Sequence, residues 1–226
     1  MSLYAISDLH LSLSADKPMD VFRGWQGYVE RLKANWCRLV TEDDTVVIPG
    51  DISWAMKLSD AKADFAFLNS LPGKKIILKG NHDLWWSTAK KLTQFLEENG
   101  FDTITFVFNN AVTVEDKAVC GTRGWFYDIA AEDKVVLREA GRLDTSITAA
   151  KKTGLTPVVF THYPPVYKDW VCEEIFGIIK KHGIKTVYHG HIHGSGLNNA
   201  TKEYDGVNFR LLSADCVDFC PVPILL

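Results

Sequence analysis

The stretch Lys75-Ile76-Ile77-Leu78-Lys79-Gly80-Asn81-His82-Asp83 decides the fold. A short β-branched and aliphatic run, long enough for one buried strand, ends abruptly in a glycine and then in three polar side chains. The same arrangement recurs four times. Leu3–Ser7 leads into Asp8-Leu9-His10, and Thr45–Ile48 into Gly50-Asp51. Pro157–Thr161 ends at His162, and Lys185–Tyr188 runs into His189-Gly190-His191-Ile192-His193. Ligands of α/β sheets bind beyond the carboxyl ends of the strands, so five strands ending in polar clusters predict one shared site.

Helical patterns over 24–39, 58–71, 87–99, 134–152 and 170–182 separate these strands, which gives an α/β fold class. Residues 104–121 read as two or three more strands. The segments 196–204 and 207–214, joined by Asp205-Gly206, read as a closing hairpin. Neither a repeat nor a linker-like tract divides the 226 residues, so one domain over 1–226 is expected.

The formal charge of -3 disfavours a nucleic-acid groove, and no apolar run is long enough for a membrane span. The N-terminus lacks the basic region of a signal peptide. The cysteines at 37, 120, 172, 216 and 220 form no CxxC pair and read as buried reduced thiols of a cytoplasmic protein.

Six of the seven histidines fall in the strand-end clusters, and only His182 lies outside. Asp8, His10, Asp51, Asn81, His162, His191 and His193 make an oxygen and nitrogen set too large for one tetrahedral zinc. Such a set suits two five- or six-coordinate first-row ions that share a carboxylate. A water held between two such cations ionises near neutral pH and becomes a nucleophile for phosphorus.

The ordered series DxH, GD, GNHD, H and GHxH resembles the calcineurin-like metallophosphoesterase superfamily over residues 8 to 193. The resemblance implies a four-layer α-β-β-α sandwich of two facing mixed sheets flanked by helices, in the bacterial and archaeal type without a cap domain. It places Asp8, His10, Asp51 and His193 on a first metal, with Asp51 bridging to a second completed by Asn81, His162 and His191. His82 matches the family's non-ligand catalytic histidine, and Asp83 either orients it or caps the following helix. Protein phosphatases carry an acid, and purple acid phosphatases a ligating tyrosine, where this chain has Trp54. Trp54 and Arg123 are the candidate substrate contacts, and His189 falls outside the ligand set.

The implied activity is hydrolysis of a phosphomonoester or phosphodiester of a small phosphorylated molecule. Manganese heads the metals, before iron, zinc, nickel or cobalt. The alternative is a non-catalytic metal-binding scaffold of the same fold. A metallo-β-lactamase type of hydrolase needs an HxHxDH cluster that the chain lacks.

Overall fold

The structure, a computed structural model, describes residues 1–125 and 133–225. In chain order the strands are β1 (Leu3–Ala5), β2 (Thr45–Pro49), β3 (Lys74–Leu78), β4 (Ile104–Phe106), β5 (Ala111–Val114) and β6 (Lys117–Thr122). They continue with β7 (Thr156–Thr161), β8 (Val166–Tyr167), β9 (Trp170–Val171), β10 (Thr186–His189), β11 (Glu203–Tyr204), β12 (Val207–Leu211) and β13 (Val222–Pro223). The α-helices are α1 (Tyr28–Leu39), α2 (Lys62–Ser70), α3 (Ala89–Asn99), α4 (Asp133–Lys152) and α5 (Glu173–Lys181).

Two large mixed sheets carry the fold. The first has the order β13-β1-β2-β3-β4 and the second β11-β12-β10-β7-β6-β5. The central pairs are parallel, and antiparallel β13, β11 and β5 close three of the edges. Strand alternation divides the core into three. Val47, Ile76 and Leu78 face inward and meet Val119, Val158, Phe160 and Tyr188 of the other sheet. Their neighbours Val46, Ile48 and Ile77 pack outward on Leu32 and Trp36 of α1, Phe65 of α2 and Leu92 of α3. Val159 and Val187 pack outward on Leu143 and Ile147 of α4 and Ile175 and Ile179 of α5. This is the four-layer sandwich that the motif series implied.

Several boundaries move for local reasons. The first helix begins at Tyr28 because Asp20 and Gln26 side chains bond the backbone of residues 20–27 in a turn instead. Trp170–Val171 pairs with Val166–Tyr167 as a small hairpin, so α5 starts at Glu173. The turn Asp205-Gly206 forms as expected, with Tyr204 opposite Val207. Of its first arm only Glu203–Tyr204 is strand, and Gly194–Asn199 is a 3-10 helix, in keeping with a run of Gly, Ser and Asn that lacks β-branched residues. Cys37 and Cys216 are exposed, which corrects the expectation of uniformly buried thiols; Cys120 and Cys172 are buried, and all five are free. No helix among the described residues is long and apolar enough to cross a membrane.

The two sheets meet where their strands end. Ser7 donates its N–H to Leu212 O at 2.8 Å, and Ala214 returns one to Ser7 O at 2.9 Å. That seam sets the floor of the site.

Candidate metal centre

Beyond their last residues, the first strands keep pairing through the ligand loops. Asp8 N donates to Gly50 O at 3.0 Å and His10 N to Asp51 O at 2.9 Å. Asp8, His10, Asp51 and His191 hold left-handed backbone, with φ of 60°, 47°, 53° and 71°. Asp and His tolerate this region better than most residues, yet each instance costs on the order of 1–3 kcal/mol. Strain gathered at four of the seven expected ligands marks a place where geometry is imposed by the surroundings.

The structure brings all seven together. Donor atoms of Asp8, His10 and His193 lie within 4.8 Å of one another, as do those of Asp8, Asp51 and His162. Asp8 Oδ1 lies 3.3 Å from His193 Nε2. Asp51 Oδ2 stands between the two halves, 3.8 Å from His10 Nε2 and 3.5 Å from His162 Nε2. Asn81 Oδ1 lies 2.6 Å from His162 Nε2 and 3.1 Å from His191 Nδ1. His189 is fully buried, with Nδ1 3.1 Å from Gly190 O, and stays out of the cluster.

The motif glycines are explained by space. A Cβ on Gly80 would fall 2.1 Å from Asp51 Oδ1, and one on Gly190 would fall 2.2 Å from Asp8 Oδ2. The backbone itself is part of the wall, so any side chain there displaces a carboxylate.

Asp83 holds two of the loops together. Its carboxylate accepts N–H bonds from Asp51 (2.9 Å) and Gly80 (2.7 Å) on one oxygen, and from Ile52 (2.9 Å) and the Trp85 indole (3.1 Å) on the other. The helix cap expected of it belongs to Thr88, and no bond joins Asp83 to the His82 ring. A buried acceptor among converging backbone donors positions the loops that carry Asp51 and Asn81. The His82 ring instead lies against Trp54, with centroids 4.4 Å apart.

Trp54 also stacks on His10 at 4.9 Å and 21°, and Lys17 Nζ lies 4.5 Å from its centroid. Its ring therefore braces two site histidines. Arg123 borders the site through its backbone: its carbonyl accepts N–H bonds from His162 at 3.2 Å and Tyr163 at 2.8 Å.

Two supporting groups escaped sequence reasoning. Asp215 Oδ1 lies 2.8 Å from His193 Nδ1, which fixes the ring and leaves Nε2 toward Asp8. Ser213 Oγ donates to Asp8 Oδ2 at 3.0 Å. The signal was present, since β12 also ends in a polar cluster, Ser213-Ala214-Asp215.

Electrostatics favour cations here. Burial opposes ionisation of Asp8, but the His193 charge and hydrogen bond, backed by His162 and His10, hold its carboxyl well below the usual range. Burial, reinforced by the negative charges of Asp8 and Asp83, pushes Asp51 well above it. Burial drives His10 down to about 3, His162 to about 4 and His191 to about 3. His193 is opposed by burial, yet Asp8 and Asp215 lift it to about 10. The cluster thus offers neutral imidazoles with lone pairs, two crowded carboxylates and His193 held between Asp8 and Asp215. Nε2 of His193 is shut from solvent and faces Asp8 Oδ1 at 3.3 Å. Such a donor set fits two first-row divalent ions.

The model of the calcineurin-like phosphoesterase family matches residues 1–195. The chain belongs to that family. Among solved structures, phosphoesterase-like folds recur at low identity. A Thermus thermophilus protein, TT1561, superposes with a TM-score of 0.60 at 13% identity, covering 98% of this chain and 97% of that one. A protein of unknown function from Aquifex aeolicus gives 0.54 at 16%, with coverages of 98% and 95%. Phosphopantetheinyl hydrolase from Mycobacterium tuberculosis gives 0.50 at 15%, with 99% and 95%. At these identities the likeness is one of fold. No curated protein matches the chain in sequence. Family membership and the donor clusters support metal-dependent hydrolysis of phosphoesters as a general activity.

Proposed function

We propose that this phosphoesterase hydrolyses a small phosphorylated molecule, mono- or diester, with two divalent ions held by residues of both sheets. The observation that carries the reading is Asp51 Oδ2, placed within 4 Å of histidines from both halves of the site. Asp8, His10, Asp51 and His193 would hold one ion; Asp51, Asn81, His162 and His191 would hold the other. When bound, such ions lower the pKa of coordinated water and neutralise phosphate oxygens.

The remaining work falls to the chain. Asp215 keeps His193 in one tautomer, and Asp83 keeps the Asp51 and Asn81 loops in register. Burial, with smaller contributions from Lys17 and His193, holds His82 below the usual histidine range, so its ring is neutral at pH 7. A neutral ring braced by Trp54 offers an N–H to a phosphate oxygen or to the leaving group. Manganese leads the candidate ions on the mixed oxygen and nitrogen donors, and the five free cysteines support a reducing, cytoplasmic setting. The charge of -3 supports a small substrate over a nucleic acid.

Protein purified without chelator should carry two ions and, with added manganese, turn over a chromogenic phosphomonoester or phosphodiester. His82→Ala should keep both ions and lose on the order of 10²–10⁴ in kcat. Two bound ions with no turnover of any phosphate ester would replace this reading with the scaffold.

A further inference from the structure

A cavity of about 360 Å³ opens beside the metal centre, between the ends of β3 and β6, the start of α3 and the middle of α4. Its described lining includes Lys79, Arg123, Arg142, Glu139, Trp86 and Thr88. Three cations therefore face one carboxylate. That carboxylate is buried and already engaged: Glu139 accepts the Thr122 hydroxyl at 2.9 Å and an Arg142 Nη1 bond, with Arg123 Nη2 3.6 Å away. One negative charge shared in this way leaves the described lining positive by about two.

Among the described residues the excess is not satisfied. Among the described residues the Lys79 side chain makes no ion pair or hydrogen bond, and Arg123 Nε, shut from solvent, finds no acceptor. Thr88 is the N-cap of the eleven-residue α3, so the positive end of that helix borders the same space. Like charges crowded around a solvent-accessible void, with donors left over, form a site for an anion and exclude a cation.

Its position bears on the site. Lys79 precedes Asn81 by two residues, which keeps their Cα atoms within about 7.6 Å. The Arg123 carbonyl receives the His162 N–H at 3.2 Å. The cavity thus adjoins the half of the centre formed by Asn81 and His162.

We propose that this cavity is a second anion site, which takes a phosphate group other than the one being hydrolysed. The substrate class follows as a small phosphoester bearing a second phosphate, a step that rests on the hydrolytic reading above; the alternative source of the same chemistry is free phosphate.

The first test is calorimetric titration of inorganic phosphate into chelator-treated protein. Wild type should bind saturably, and the Lys79→Gln, Arg142→Gln double variant about a hundredfold more weakly, about tenfold for each cation removed. Glu139→Gln removes the opposing charge while keeping an acceptor for Thr122, and should bind about tenfold more tightly. No binding by wild type, equal binding by the double variant, or weaker binding by a folded Glu139→Gln protein would each overturn the site.

The second test compares 1,3-propanediol bisphosphate with propyl phosphate on manganese-loaded enzyme. The bisphosphate should show a KM at least tenfold lower, and the double variant should erase that difference without changing kcat for propyl phosphate. Phosphate binding with no KM advantage overturns the substrate assignment in favour of free phosphate. Phosphate binding with no turnover of these esters or of the chromogenic mono- and diesters removes the hydrolytic reading and leaves the anion site standing.

Discussion

Replacing Asp83 by Asn keeps the size of the side chain and removes its charge and half of its acceptors. One carboxylate oxygen accepts from Asp51 N and Gly80 N, the other from Ile52 N and Trp85 Nε1. Whichever way the amide turns, its NH₂ group meets two N–H donors, so at least two bonds vanish and like dipoles face each other. Hydrogen bonds to a charged acceptor contribute about 1.5–3 kcal/mol each, so the two together represent about 3–6 kcal/mol. Part of that is offset because burial already pushes Asp83 up to about 6, a cost that the neutral amide escapes. A net loss of ~3 kcal/mol in a chain of this size lowers Tm by roughly 6–12 °C. The same change frees the loops carrying Asp51 and Asn81, so metal content should fall with stability. Thermal melts and metal analysis of chelator-free Asp83→Asn protein check both. A variant that melts within ~2 °C of wild type and keeps two ions would refute the role assigned to this carboxylate.

Asp215→Asn should weaken metal binding about 10–100-fold, measured by competition with a chelator, because the support of His193 is altered, with only a small fall in Tm from the exposed Gly194 N–H that Asp215 also accepts. Gly80→Ala should abolish binding of both ions in metal analysis, since the new methyl would need the space occupied by Asp51 Oδ1. Lys75 is fully buried, and burial lowers its ammonium to about 8. Between that value and about 10.5 the unfolded chain holds a proton that the folded chain has released, so stability should rise with pH across this window. Lys75→Met should flatten the rise and raise Tm at pH 7 by roughly 2–8 °C, from about 3 kcal/mol of relieved burial less the lost bonds to Leu71 and Thr103.

The donor cluster was legible because each member follows an apolar strand, and strand ends are where a parallel sheet delivers side chains. Lys75 to Asp83 alone held the pattern, and its four repeats made the order informative. The supporting groups were harder to read. Asp215 lies 22 residues from the histidine it holds, and only folding brings β12 beside β10. Asp83 offered two sequence roles, and neither describes its bonds: besides nearby Gly80 and the Trp85 indole, its partners are backbone N–H groups from a loop some thirty residues upstream, which have no identity in the sequence. The small strands β8, β9 and β13 were missed because two-residue ladders leave no periodicity.

The seam between Ser7 and residues 212–214 has a consequence for how the protein matures. Asp8, His10, Asp51 and Asn81 leave the ribosome early, whereas the histidines at 162, 191 and 193, and the Ser213 and Asp215 that steady the pocket, emerge with the last third of the chain. Neither portion holds a full complement of donors. Cation capture by the proposed site would therefore wait until residues of both portions have folded together.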